Sequence, residues 1–178
     1  LQRTWPYLVE SDPEQDGKYS ISLGVNTNEL KIIHETAIEH NCINAVIASL
    51  ALEQFGNDVS ESMKHLSGFT NPLKNRFHIH KVANYLVIDD TYNANPASMQ
   101  SAMKNINNWN DERGRIVILG DMYDLGHHSS EEHKEVLNYA LRMKELRKLI
   151  LVGDKFKNEI KEFSNQEREK IILIQNKV

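Results

Sequence analysis

Apolar and polar positions divide this chain into two stretches with different organisation. Residues 18–24, Lys-Tyr-Ser-Ile-Ser-Leu-Gly, alternate as a half-buried strand does, and a second short strand over 30–34 completes a hairpin. Ahead of them residues 1–17 are polar, carry Pro6 and Pro13, and read as irregular. From Asn41 the period changes to that of a helix. Ile43, Val46, Ile47, Leu50 and Phe55 share one face, with Ala45, Ala48 and Ala51 allowing close packing and Gly56 suited to the C-terminal cap. A short helix over 58–66 follows. Ser67-Gly68-Phe69-Thr70-Asn71-Pro72 is a cluster of helix and strand breakers, and the domain boundary is expected there.

Past the breakers the order reads strand, strand, helix, strand, helix, strand, helix, strand. Arg76 to Lys81 alternates, and Tyr85-Leu86-Val87-Ile88 is a continuous apolar run ending in Asp89-Asp90. Asn95 is placed to cap a helix that accepts Pro96 in its first turn, and Met99, Ala102, Met103, Ile106 and Trp109 follow at helical spacing. Arg115 to Leu119 is a buried strand closed by Gly120-Asp121. Ser129 or Ser130 caps a helix expected to run to about Leu146. Leu149 to Val152 is a strand closed by Gly153-Asp154, and a polar helix leads to Ile171-Ile172-Leu173-Ile174. Strands alternating with helices in this way predict an α/β fold, with a Rossmann-like, mostly parallel sheet covered on both faces. The expected domains are residues 1–70 and 71–178.

Composition narrows the function without naming it. The chain has 178 residues, 40% hydrophobic and 26% charged, with a net charge of −4 and both signs interspersed. Such a balance is globular and offers no basic stripe for nucleic acid. No apolar run approaches the roughly 20 residues that span a bilayer. There is one cysteine, Cys42, so no intrachain disulfide framework is available, and a cytoplasmic location is expected. The chain starts at Leu1 without a signal peptide or an initiator Met, which reads as a start inside a larger protein.

Ligands of open α/β sheets bind beyond the carboxyl ends of the strands. Three expected strands end in Asp90, Asp121 and Asp154, beside Asn93, Asn95, Asp124 and His127, so a polar binding rim is expected there. The plain alternative is that each Asp caps its loop. His78 and His80 share one face of a strand, and His127, His128 and His133 fall close to Asp121 and Asp124. No Cys assists either group, and structural or solvated histidine is the expectation, with no metal site.

Asp89-Asp90-Thr91-Tyr92-Asn93-Ala94-Asn95-Pro96-Ala97-Ser98-Met99 and Leu119-Gly120-Asp121-Met122-Tyr123-Asp124-Leu125-Gly126 resemble two signatures of the Mur ligase family. The first is specific to the branch that adds D-alanyl-D-alanine. His40-Asn41-Cys42-Ile43-Asn44-Ala45 resembles the start of the helix ending the family's central domain. Asn75-Arg76-Phe77 resembles its interdomain linker. The chain departs at Glu39 and Asn75, where the family usually has Gly, and at Asp124, where it usually has Glu. The resemblance runs from about residue 18 to 155.

It implies a three-domain, ATP-dependent amide-bond ligase of peptidoglycan precursor synthesis, joining D-alanyl-D-alanine to UDP-N-acetylmuramoyl-tripeptide. Residues 1–70 would be the end of the central ATP-binding domain and 71–178 most of the C-terminal domain. ATP would convert the tripeptide carboxylate to an acyl phosphate, which the dipeptide amine attacks. The chain has no Gly-rich GKT or GKS loop, so the phosphate cradle and main Mg2+ ligands are expected outside it, and the chain alone is expected to be inactive. No residue of the chain is assigned a catalytic role. By resemblance Asn41 and Asn44 face adenine, Arg76 the ATP phosphates, and Asp90 the ribose hydroxyls or Arg76. Tyr92, Asn93 and Asn95 line the cleft toward dipeptide or ATP, with helix capping as Asn95's alternative, and Asp121 and Asp124 hold the loop or the dipeptide. A Mur-type ligase for another amino acid, and a non-catalytic nucleotide- or peptide-binding module, are the competing readings. Oligomeric state is not read from the sequence, beyond self-association through an exposed helix face.

Overall fold

A computed structural model of the chain describes residues 7–11, 19–25, 28–34, 39–67, 75–109 and 112–175, with side chains over 44–65, 75–109 and 112–175. The breaker cluster lies almost wholly outside the described residues. The chain divides into two compact units, Leu1–Pro72 and Leu73–Val178.

The first unit is an antiparallel sheet with two helices. Strand β1 (Tyr7–Ser11) pairs with β2 (Tyr19–Val25), and β2 pairs with β3 (Asn28–His34). The expected hairpin is β2–β3. The expected irregular stretch instead contains β1: Pro6 and Pro13 flank this segment rather than interrupt it, and pairing along the edge of β2 supplies what its local pattern does not. Helix α1 (Glu39–Glu53) buries Ala45, Val46 and Ser49. The apolar face expected from the spacing is only partly used, because Ile47 and Leu52 are exposed and Phe55, beyond the helix end, is 83% exposed. Gly56 takes φ 85 and its N–H reaches Glu53 O at 2.9 Å, as a C-terminal cap requires. The Asp58 carboxylate accepts from Glu61 N–H to open α2 (Val59–Ser67).

The second unit holds two separate sheets. Strands β4 (His78–Val82) and β5 (Tyr85–Asp89) form an antiparallel hairpin. Strands β6 (Arg115–Gly120), β7 (Leu146–Val152) and β8 (Ile171–Ile174) form a parallel sheet in that order. Parallel α/β organisation is present in β6–β8, but β5 is not hydrogen-bonded into it. Among the described residues the sheet is not covered on both faces either. Ile116, Ile118, Ile172 and Ile174 point away from the core and are 43–65% exposed, while Leu119, Leu149 and Leu151 point into it.

Helix α3 (Pro96–Asn108) and α4 (Ser129–Leu141) cover the inner face. Their Met103, Val136, Leu137 and Ala140 pack with Leu119, Leu149, Leu151, Met122 and Phe156 in one core. Burying each Leu side chain stabilises by about 1.5–3 kcal/mol, so this face carries most of the unit's apolar stabilisation. Helix α4 ends earlier than expected because Leu146 is needed as a buried residue of β7; Glu145, at φ 55, makes the turn. Neither serine caps α4: His128 stands at the cap position, and Ser130 Oγ donates to Glu159 Oε1 at 2.6 Å. The expected polar helix before β8 is two short pieces, a 3-10 turn at Glu159–Glu162 and α5 (Asn165–Arg168). The Arg115 guanidinium ties Asn107 Oδ1, Trp109 O and Lys144 O together, joining α3, the turn after α4 and the start of β6.

Candidate functional site

Arg76 sits between two residues held in the left-handed region, Asn75 at φ 63 and Phe77 at φ 52. A bulky aromatic rarely adopts that conformation, and such residues typically cost 1–3 kcal/mol of strain, which the surroundings must offset. Here the exit of β5 does so. Tyr92 N–H donates to Asn75 O at 3.0 Å, Asn75 Nδ2 donates to Thr91 Oγ1 at 3.0 Å, and Phe77 N–H donates to Asp90 Oδ1 at 3.0 Å. Phe77 is buried edge-on against Trp109, with ring centroids 6.2 Å apart. The consequence is a fixed direction for Arg76, whose guanidinium lies 3.8 Å from the centroid of the Tyr92 ring. Both side chains are exposed, so a planar cation is displayed on an aromatic face toward solvent. Asn75 stands where the resemblance expects Gly, and asparagine is one of the few other residues that enters this region readily.

Asp90 therefore serves at least as a backbone acceptor for the turn before β4, which is the plain alternative expected for it beside the ribose hydroxyls and Arg76. Its neighbour Asp89, not singled out in the sequence, organises the turn after β5: Thr91 donates its hydroxyl at 2.8 Å and its N–H at 3.1 Å to Asp89 Oδ1. The Thr91 bonds, followed by the charges of His80 and His78, hold the Asp89 carboxyl below the usual range. An Asp two residues ahead of a Thr is a local turn signal that was legible in the sequence. His78 and His80 do share a face, with ring centroids 6.0 Å apart.

Asn95 caps α3, accepting from Ser98 N–H at 2.9 Å with Pro96 in the first turn. Asn93 is exposed and its Oδ1 accepts from Ala94 N–H. Arg76, Asp90, Tyr92 and Asn93 are thus gathered at one end of the β4–β5 hairpin, while Asn95 is engaged by its helix.

Asp121 and Asp154 lie together at the carboxyl end of the parallel sheet. Asp121 Oδ2 accepts from Asp154 N–H at 3.0 Å and Oδ1 from Lys155 N–H at 3.1 Å, so Asp121 pins the turn after β7. Gly153 takes φ 119, and a Cβ there would lie 2.2 Å from Asp121 Cγ, so this pinning requires glycine. Asp154 Oδ1 accepts from Gln175 Nε2 at 2.8 Å. Asp90, ending a strand of the other sheet, is not part of this three-strand rim. Asp124 is exposed at φ 61.

The histidines after β6 do separate things. His127 and His128 stack with centroids 3.9 Å apart in a 3-10 turn at Gly126–His128. His133 is fully buried: its Nδ1–H donates to Ser129 O at 2.6 Å, its Nε2 accepts from Met122 N–H at 3.0 Å, and its ring meets Phe156 edge-on. It fixes the loop that follows β6. Among the described residues no three metal-ligating side chains converge. In the first unit Asn44 is exposed on α1; Asn41 lies on the same helix, and its side chain is outside the described residues.

Residues 75–176 match the family described as Mur ligase, glutamate ligase domain. The chain belongs to the Mur ligase family. Among Mur ligases, the UDP-N-acetylmuramoyl-tripeptide--D-alanyl-D-alanine ligase of Haemophilus influenzae (strain ATCC 51907 / DSM 11121 / KW20 / Rd) is 33% identical over 101 residues, 57% of this chain and 22% of that protein. A crystal structure of MurF from Acinetobacter baumannii superposes with a TM-score of 0.75 at 25% identity, covering 94% of this chain and 34% of that one. The MurF ligase of Thermotoga maritima, solved in complex with ADP, shares the fold with a TM-score of 0.68 at 18% identity over 97% of this chain and 37% of that one. The chain thus spans between about a fifth and two fifths of the length of these Mur ligase relatives.

Proposed function

We propose that this chain is part of an ATP-dependent ligase that joins D-alanyl-D-alanine to UDP-N-acetylmuramoyl-tripeptide in peptidoglycan precursor synthesis in the cytoplasm. Residues 1–70 are the end of its central ATP-binding domain and 71–178 most of its C-terminal domain. The observation that carries the reading is the connection from Asp89 to Ser98. Its sequence is the branch-specific signature, and it is folded as a stapled turn and a capped helix start beside the displayed Arg76. The relatives' names agree with the same substrates.

In the proposed reaction the tripeptide carboxylate attacks the γ-phosphorus of ATP, and ADP leaves. The dipeptide amine then adds to the acyl phosphate carbon, loses a proton, and phosphate departs as the amide forms. Arg76 is assigned to the ATP phosphates, where a guanidinium matches both charge and geometry. Asp90 is assigned to the ribose hydroxyls while it fixes the Arg76 turn, and Asn41 and Asn44 to the adenine edge. Tyr92, Asn93 and Asn95 are assigned to the cleft toward the dipeptide or ATP, with Asn95 also capping its helix, and Asp121 and Asp124 to holding the loop or the dipeptide. The described residues do not converge as a metal site, so Mg2+ is proposed to bind outside them and no step is assigned to it here. Phosphate release by the full-length protein should require ATP, the UDP-linked tripeptide and D-alanyl-D-alanine together, and the 178-residue chain alone should release none. Release that ignores the tripeptide, or turnover by the chain alone, would refute the reading.

A further inference from the structure

A run of side-chain hydrogen bonds joins the turn before β4 to the exit of β5, and the proposed reaction leaves it without a role. Thr91 Oγ1 donates to Asp89 Oδ1 at 2.8 Å, and Thr91 N–H donates to the same oxygen at 3.1 Å. A hydroxyl has one proton to give, so its lone pairs are left for Asn75, whose Nδ2 donates to Thr91 Oγ1 at 3.0 Å. The far end sets this order. The Asp89 carboxyl is held below its usual range, first by the Thr91 hydroxyl and then by the Thr91 N–H, and an ionised carboxylate only accepts. Two members of the relay each stand one residue ahead of the displayed pair. Asn75 precedes Arg76 and Thr91 precedes Tyr92, and the guanidinium lies 3.8 Å from the ring centroid. Tyr92 N–H closes the circuit on Asn75 O at 3.0 Å. A Gly at position 75, which the family resemblance expects, could not make the first link.

We infer that Thr91 is a positioning residue for Arg76: its hydroxyl, tied to Asn75 and Asp89, keeps the guanidinium on Tyr92 in the direction from which it meets the ATP phosphates. The inference rests on the proposed function, which assigns Arg76 to those phosphates. Thr91 is exposed and Asn75 and Asp89 are half-buried, so the relay adds little to the stability of the whole unit. Its larger consequence is order in one long side chain, since an arginine already fixed on a ring loses less freedom when an anion arrives.

The full-length enzyme is compared with Thr91→Val, which keeps the shape and removes the hydroxyl, and with Thr91→Ser, which keeps the hydroxyl. Thr91→Val should raise both Kd and KM for ATP roughly three- to tenfold, the usual scale for one lost hydrogen bond. Its kcat, its KM for the UDP-linked tripeptide and its Tm should stay near the wild-type values, and Thr91→Ser should recover most of the loss. Asn75→Gly cuts the first link and should match Thr91→Val, with the double variant no worse than either. Arg76→Met should weaken ATP binding by itself, and adding Thr91→Val to it should change nothing more. An unchanged Kd for ATP in Thr91→Val, an equal loss on the tripeptide, or a further loss of ATP binding in the Arg76→Met background would overturn the inference. A wild-type enzyme that does not bind ATP, or an Arg76→Met variant that binds it normally, overturns the proposed assignment first and this inference with it.

Discussion

At the scale of single residues, backbone conformation explains more of the site than charge does. Asn75 occupies a left-handed position where the family resemblance expects Gly, and its side chain also bonds Thr91. Asn75→Gly should be tolerated within a few tenths of a kcal/mol, whereas Asn75→Val should lose about 1–2 kcal/mol by forcing a branched residue into that region. Denaturant unfolding of the two variants gives the comparison, and equal stabilities would show that the turn relaxes. His133 poses a different constraint. Replacing it with Leu keeps the volume but leaves Met122 N–H buried without an acceptor, at a cost of about 1–3 kcal/mol. A melting temperature unchanged in His133→Leu would mean that the loop finds another partner. Asp90 combines structure and proposed function, so Asp90→Ala should lower stability and also weaken ATP use, with KM for the UDP-linked tripeptide nearly unchanged. Lower stability with normal ATP kinetics would leave Asp90 a structural role alone, its bond to Phe77 N–H included.

At the scale of elements, the sequence pattern located nearly every strand and helix of the second unit but not how the strands associate. An apolar run such as Tyr85 to Ile88 suits a buried parallel strand and a hairpin strand alike, and β5 is the latter. The inward-facing Leu149 and the outward-facing Ile172 have the same local signal, because burial of a strand face depends on what packs there. Hydrogen exchange should separate these cases: amides of 149–151, in the central strand, should be the slowest, and those of 79–87 in the two-stranded hairpin distinctly faster. Equal protection would place β5 in the main sheet. The small helix α5 tests local electrostatics. Ser164 donates from its hydroxyl and its N–H to Glu167, which holds that carboxyl below the ordinary glutamate value of 4.5. A depressed carboxylate stabilises the folded state above the unfolded value, and that contribution fades as pH falls through the folded value. Titration of Glu167 by NMR should therefore fall below that of an unstructured glutamate, and Ser164→Ala should raise it only part of the way back, because the residue 164 N–H still donates to the carboxylate.

At the scale of the whole molecule, what was legible in the sequence was the chemistry-bearing segments. The Asp89–Met99 and Leu119–Gly126 stretches carry the family resemblance, and the family match over 75–176 bears it out. What was not legible was which side chains those segments keep for themselves. From the sequence Asn95 is open to capping or ligand contact, and Asp121 to holding the loop or the dipeptide; in the structure Asn95 caps its helix and Asp121 accepts two backbone N–H groups of the turn after β7. Tyr123 lies within the Leu119–Gly126 stretch, but its contact with Lys155 depends on the turn after a different strand, which Asp121 pins. The central claim is that these parts serve a ligase whose acceptor is a dipeptide. It is tested most directly by mass analysis of the product made by the full-length protein from ATP and UDP-N-acetylmuramoyl-tripeptide, with D-alanyl-D-alanine and single amino acids offered in competition. The account predicts one product, the tripeptide nucleotide extended by both alanine residues through a single new amide bond, with one ADP and one phosphate formed for each. A product extended by a single amino acid, or no extended product while ATP is consumed, would contradict it.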